Sequence, residues 1–254
     1  MKKAIALVLA LIMTASLFTG CGAKEEEKKV LTMATNAEFP PYEYYEGDKV
    51  VGIDAEVAAL IAEKLGMGLE IVDIEFNSII PGISSGKYNI GMAGMTVTED
   101  RLESVNFTSS YTTAVQVVIV KEGGTVTSLD DLFEEGHDWK IGVQNATTGD
   151  IYASGDFEDA GLGTVSRYDK GADAVAALLA DKIDCVIIDN EPAKNFVAAN
   201  EGLTILDTEY ALEEYAICYS KDDTAIGEQV DKALQELIAD GSVQKVIDKY
   251  IPAE

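Results

Sequence analysis

The sequence predicts an α/β protein built on a largely parallel sheet, and three observations predict it. Apolar runs of strand length, at residues 30–35, 69–74, 88–92, 139–143 and 184–188, alternate with segments whose apolar residues recur at helical spacing. The alternation βαβα is the pattern of a layered α/β domain. Polar or glycine-containing loops follow several of the strands, and in open α/β sheets ligands collect beyond the carboxyl ends of strands.

The chain opens on a targeting segment. Met1-Lys2-Lys3 is a positive start, residues 4–18 are mostly apolar, and Thr19-Gly20-Cys21 follows, the layout of a secretory signal peptide over residues 1–20. The apolar stretch is too short for a typical spanning helix. Leu17-Phe18-Thr19-Gly20-Cys21 also resembles the bacterial lipobox, with Phe18 in place of the usual Leu, which makes Cys21 the lipidation candidate. Residues 21–29, with three glutamates followed by two lysines, read as a flexible tether.

The remaining chain, of about 225 residues, is long enough for one large or two small cores. The formal charge of the whole 254-residue sequence, −26, belongs to a surface that repels phosphate backbones, so nucleic acid is excluded as a partner. Cys185 and Cys218 sit in apolar, strand-like runs and read as buried free thiols, with a disulfide as the alternative.

Residues 30–35 form the first strand, ending at Asn36 and passing into Phe39-Pro40-Pro41-Tyr42, where two prolines stop regular structure. Phe39 on that stiff loop is either packing or a ring placed against a ligand. A turn at residues 46–49 joins short strands, and residues 54–65 carry Val57, Leu60, Ile61 and Leu65 as a core-facing helical stripe. Strand 69–74 is followed by Phe76, a short helix at 79–83 and the strand leading to residues 91–101. There Thr96 and Glu99 have capping-box spacing, Thr98 is a second candidate N-cap, and the loop is expected to present free backbone N–H groups. With Arg101 in the first helical turn, Thr96 and Arg101 together match one carboxylate of a small ligand.

A second unit follows the β-branched run at residues 114–120. A short helix is predicted at 128–133 and a strand at 139–143, then the polar loop from Gln144 to Gly149, where Thr147 or Thr148 can cap a helix starting near Asp150. An Ala-rich helix at 172–179 leads to the strand ending at Asp189. Residues 85–94 align with residues 180–189, a weak repeat matching Lys87 with Lys182 and Gly94 with Asp189. The repeat sets Asp189 at a strand end across a cleft from Arg101. Arg on one wall and Asp on the other is the charge pattern that holds a zwitterion, the carboxylate on Arg101 and the ammonium on Asp189.

Gly52-Ile53-Asp54-Ala55-Glu56-Val57, Phe39-Pro40-Pro41-Tyr42-Glu43, Ile80-Pro81-Gly82, Ala93-Gly94-Met95-Thr96, Arg101 and Asp189 together resemble the bacterial extracellular solute-binding proteins of family 3, the polar amino acid receptors of ABC importers, over residues 31–250. The resemblance implies a type II periplasmic-binding fold: two α/β lobes joined by crossover strands at 114–120 and 214–220. Lobe 1 is expected at 30–117 and 216–254 and lobe 2 at 118–215. By the same resemblance Phe39 and Phe76 flank the ligand, Gly94, Thr96, Arg101 and Thr148 take its carboxylate, Asp189 takes its ammonium, and Asn36 and Gln144 reach towards its side chain. Some relatives carry Asp and Lys at the last two positions; two neutral amides here favour a glutamine-like ligand while leaving arginine open.

The function implied is an extracytoplasmic receptor, lipid-anchored at the outer face of the cell membrane, monomeric, delivering a polar L-amino acid to a permease, with no cofactor or metal. The rival is a cyclohexadienyl-dehydratase-like enzyme on the same scaffold, for which Glu38 or Asp150 would supply the acid. His137, the only histidine, lies in a polar loop and is expected to face solvent. A sensory domain is a further rival, but no attached transmembrane signalling module is expected.

Overall fold

The computed structural model describes residues 29–252; the signal segment and Cys21 lie outside them. Strand β1 (Val30–Thr35) leads into a small antiparallel sheet of β2 (Glu38–Phe39), β3 (Glu43–Glu46) and β4 (Lys49–Val51). Helix α1 (Ile53–Lys64), β5 (Gly68–Asp73), a 3₁₀ turn at Phe76–Ser78, α2 (Ile79–Ser84), β6 (Ile90–Gly91) and α3 (Glu99–Ser104) follow. Then comes β7 (Val105–Lys121), long enough to serve both halves of the molecule. The second half holds β8 (Trp139–Gln144), α4 (Thr148–Ala153), β9 (Gly163–Tyr168), α5 (Gly171–Leu179), β10 (Cys185–Asp189), α6 (Asn190–Ala199) and β11 (Leu203–Ile205). Strand β12 (Ala211–Ser220) returns along β7, and α7 (Thr224–Ala239) and α8 (Ser242–Tyr250) pack back onto α1.

The main sheet runs β5-β1-β6-β12-β7-β10-β8-β9, with β11 also on β7. Within each half the pairing is parallel, β5 and β6 on β1 and β9 and β10 on β8. The pairs at the junction are antiparallel, β6 with β12, β12 with β7, and β10 and β11 with β7. The largely parallel sheet expected from the sequence is therefore mixed. The chain leaves the first half on β7 and returns on β12, and two strands running out and back side by side must be antiparallel. Both are longer than the apolar runs that announce them.

The weak repeat is structural. Ile90 pairs with Met33 of β1, and its counterpart Cys185 pairs with Ile141 of β8. Asn89 accepts from the Thr32 N–H at 2.9 Å and Asp184 accepts from the Lys140 N–H at 2.8 Å, each clamping its strand at the same place. The preceding helices both end in left-handed residues, Gly86 at φ 72° and Asp181 at φ 56°, and both close with the N–H of the following lysine on a carbonyl five residues back. On this register Asn36 after β1 corresponds to Gln144 at the end of β8.

Apolar faces close the layers. Val57, Ile61, Val230, Leu234, Val243 and Val246 cover one side of the first half, and Ile79, Ile83, Met95 and Cys218 the other. Cys185 lies in the separate core of the second half, so both thiols are free and buried. A Cβ on Gly91 would meet Cys218 Sγ at 2.5 Å and Ile79 Cγ2 at 2.7 Å. Gly91→Ala is therefore expected to cost about 1–3 kcal/mol of stability through overpacking, seen as a lower urea midpoint with an unchanged m-value.

A candidate ligand-binding cleft

A small, nearly filled cavity lies between the two halves. Asn36, Phe39, Glu43, Phe76, Ala93, Gly94, Arg101, Gln144, Thr147, Thr148 and Asp189 line it. Eight of the nine binding residues expected from the sequence are there; Thr96 is not in the lining but is buried beside Arg101.

Helix α3 carries Arg101. Thr98 caps it, accepting from the Arg101 N–H, so the Thr96 and Glu99 capping box does not form. The guanidinium is buried, donating from Nη1 to the Thr96 carbonyl at 2.7 Å and from Nη2 to the Ala146 carbonyl of the facing loop at 3.0 Å. It also sits 5.4 Å from the centre of the Phe76 ring. Burial pulls its pKa down, and among the described residues it forms no ion pair. A desolvated cation whose hydrogen-bond partners are neutral carbonyls retains donors for an anion. The loop before α3 differs from expectation. The Gly94 N–H donates to Asp54 Oδ2 at 2.9 Å and the Val97 N–H to the Glu214 carbonyl at 3.3 Å, because the loop is tied to α1 and β12. Gly94 itself is required: its φ is 52°, and a Cβ there would stand 2.9 Å from the Phe39 ring.

Strand β10 carries Asp189. Its carboxyl group accepts from the Tyr215 hydroxyl and is buried, and burial together with the Glu213 charge pushes its pKa well above the usual carboxylate range. Two more acids, Glu43 and Asp54, are buried nearby. Burial and the Asp54 charge raise Glu43 well above its ordinary value, and burial raises Asp54 to about 6, against hydrogen bonds from the Gly94 N–H, the Tyr111 hydroxyl and Glu43.

At the far end Gln144 Nε2 donates to Asn36 Oδ1 at 2.8 Å, joining the two corresponding strand ends directly. Lys170 pairs with Glu38 across the mouth at 2.5 Å. Asp150 pairs with Arg167 at 2.9 Å and accepts from the Ala146 N–H at 2.9 Å, bracing the loop that faces Arg101. Both acids considered for an enzyme are thus ion-paired. His137 is exposed and stacks on Trp139.

Glu43, Ala93 and Thr147 line the cavity although the sequence does not mark them as binding residues. Glu43 and Ala93 lie inside the family motifs, and Thr147 reads only as a cap, which it is. Burial of a glutamate on a short strand has no periodic signature.

Two α/β halves joined by two long strands, with a buried charged cleft between them, define a two-lobed solute-binding protein of the type II periplasmic-binding fold. The family model of the bacterial extracellular solute-binding proteins, family 3, matches residues 31–253, and the chain belongs to that family. The arginine-binding extracellular protein ArtP of Bacillus subtilis is 31% identical over the full length of both chains. A probable histidine-binding protein of Neisseria gonorrhoeae is 29% identical over 100% of this chain and 97% of its own. Among solved structures, an ancestral arginine-binding protein bound to arginine superposes with a TM-score of 0.81 at 34% identity, covering 88% of this chain and 99% of that one. One bound to glutamine gives 0.81 at 33% identity, over 89% and 99%. These relatives are named as binding proteins, and the chain is a transport receptor of the extracytoplasmic space, not an enzyme.

Asp54 ties the pH dependence of folding to the cleft. Its folded pKa of about 6 lies above its unfolded value, so the folded state binds the extra proton and stability falls as pH rises between them. The loss is on the order of 2–3 kcal/mol between pH 4 and 7. Urea unfolding of the wild type and Asp54→Asn across that range should show this component only in the wild type.

Proposed function

We propose that the protein binds a polar L-amino acid between its lobes and presents the closed complex to the permease of an ABC importer. The observation that carries the reading is a buried guanidinium without a carboxylate partner among the described residues, Arg101, in the same cavity as the buried carboxyl group of Asp189. Arg101 takes the ligand carboxylate, oriented by the Thr96 carbonyl and helped by Thr148, with Gly94 leaving room for close approach, and Asp189 takes the ammonium. Phe39 and Phe76 flank the aliphatic stem, and Asn36 and Gln144 meet the side-chain end. Lobe 1 spans 30–117 and 216–254 and lobe 2 spans 118–215, so Arg101 and Asp189 lie on opposite lobes and a zwitterion bridges them. Closure is favoured by the ligand's differential affinity for the closed form and no more.

A guanidinium or an amide side chain suits the two carboxamides, which each offer an acceptor oxygen and donors. The names of relatives that bind arginine, and the arginine and glutamine found in related structures, support that choice. Residues 1–20 serve as signal peptide, Cys21 carries the lipid and residues 21–29 the tether, and the receptor works as a monomer.

The test is a thermal-shift screen of the common amino acids followed by calorimetry. A cognate ligand at ~100 times its dissociation constant adds about 2.7 kcal/mol of stability. Arg101→Ala and Asp189→Ala should each weaken binding by about 30-fold or more while the protein stays folded. Near-native titrations in both variants would refute the zwitterion clamp.

A further inference from the structure

Strand β12 breaks the usual rule for a half-buried strand. It leaves Leu212 75% exposed and turns the neighbouring Glu213 inwards to 3% exposure. Burying a carboxylate while exposing a leucine runs against both transfer preferences, and such reversals collect where function requires them.

Inside, Glu213 Oε2 accepts from Gln116 Nε2 at 3.0 Å, and Glu213 Oε1 is buried without a hydrogen bond among the described residues, with the Tyr152 hydroxyl the nearby donor. The carboxyl group of Asp189 stands within hydrogen-bonding reach of Glu213, and Gln116 is near enough to donate to it as well. Facing the pair are Arg101 from α3, Tyr152 from α4, Tyr42 and Glu43 at the start of β3, and Tyr215 from β12. Arg101 is the one cation among them, and the hydrogen bonds it makes go to carbonyls. Two adjacent buried carboxyl groups with too few donors resolve the conflict by holding one proton between them, as paired carboxyl groups do in acid dyads.

Resting on the amino acid reading above, we propose that Glu213 is a second acid of the ammonium subsite: before a ligand enters it shares one proton with Asp189, and an entering ammonium group displaces that proton to solvent. The ammonium supplies N–H donors and positive charge where the shared proton stood. Asp189 touches the ligand and Glu213 acts through it as a positioning residue. The subsite therefore selects a primary ammonium group, which replaces a proton, over a neutral amide or hydroxyl, which does not. Uptake is linked to pH: as pH falls through the range where the ligand-free pair holds its proton, affinity falls with it, by about tenfold per unit when one proton is released.

The experiment is isothermal titration calorimetry of the protein with arginine and with glutamine, in buffers of different ionisation enthalpy, from about pH 5 to 8. The expected result is release of about one proton at the pH values where the ligand-free pair holds it, with the matching loss of affinity as pH falls there. Glu213→Gln, whose amide donates to Asp189 and leaves it ionised, should bind without proton release and with a flat pH profile; Glu213→Asp, which keeps the acid, should retain the release. Binding by the wild type without proton exchange at any pH would overturn the proposal, as would undiminished release from Glu213→Gln. No binding heat with either ligand in any buffer, together with no thermal stabilisation by any common amino acid, would instead refute the amino acid reading, and this proposal with it. The wild-type buffer series decides the first point even if a variant fails to fold.

Discussion

The cost of holding charge away from water governs this molecule. Arg101, Glu43, Asp54, Asp189 and Glu213 are all buried where the two lobes meet, and among the described residues none of the five has a full ion-pair partner. An isolated ion in such a place is expensive, so each is managed with what lies nearby: carbonyl oxygens for the guanidinium, tyrosine hydroxyls and an amide for the carboxyl groups, and raised pKa values for three of the acids. The partial solution leaves the cleft short of one anion near Arg101 and one cation near Asp189, which is the complement of a zwitterion.

The scaffold explains why these groups meet. A duplicated helix, left-handed turn, lysine and strand brings two equivalent strand ends to one place, and the antiparallel pair β7 and β12 holds the halves together along their length. Asn36 and Gln144 are equivalent by that repeat and touch each other. Asp189 takes the equivalent place to Gly94, so the same strand end offers a carboxylate in one lobe and a close backbone approach in the other. The two lobes are similar in backbone and differ in the side chains their equivalent strand ends carry.

Much of this is legible in the sequence because periodicity records backbone type and strand ends locate sites. Residues 30–35 and the helix pattern of residues 54–65 have the buried stripes that define them, and the structure places their elements within a residue or so. Strand β9 and helix α6 leave no such signal. β9 is an edge strand with one buried side chain, Val165, and α6 opens with Pro192 in its first turn, where proline fits a helix start but reads as a stop. In the cleft, Arg101 and Asp189 stand out by type and position. Glu43, Gln116 and Glu213 do not, because a polar residue on a strand reads as a solvent face until the register shows it pointing inwards. The free N–H groups expected near Gly94 are taken by Asp54 and by β12, tertiary partners that local spacing cannot reveal.

The bonds that span the cleft bear on selectivity. Gln144 to Asn36, Arg101 to the Ala146 carbonyl, and Lys170 to Glu38 already join the lobes, so a ligand must replace at least the first of these to reach the side-chain end. The Ala146 carbonyl is offered from a left-handed alanine at φ 63°, a conformation that costs about 1–2 kcal/mol and is held by the Asp150 carboxylate on its N–H. A ligand that restores a partner to both carboxamides loses little on entry; one with an aliphatic end breaks their mutual bond without replacing it, leaving Asn36 Nδ2 on the Ile74 carbonyl and Gln144 Nε2 on the Asp169 carbonyl but the Asn36 oxygen unpaired, at about 1–3 kcal/mol. Discrimination against apolar amino acids thus follows from what the lobes already do to each other, before any contact with the ligand is counted.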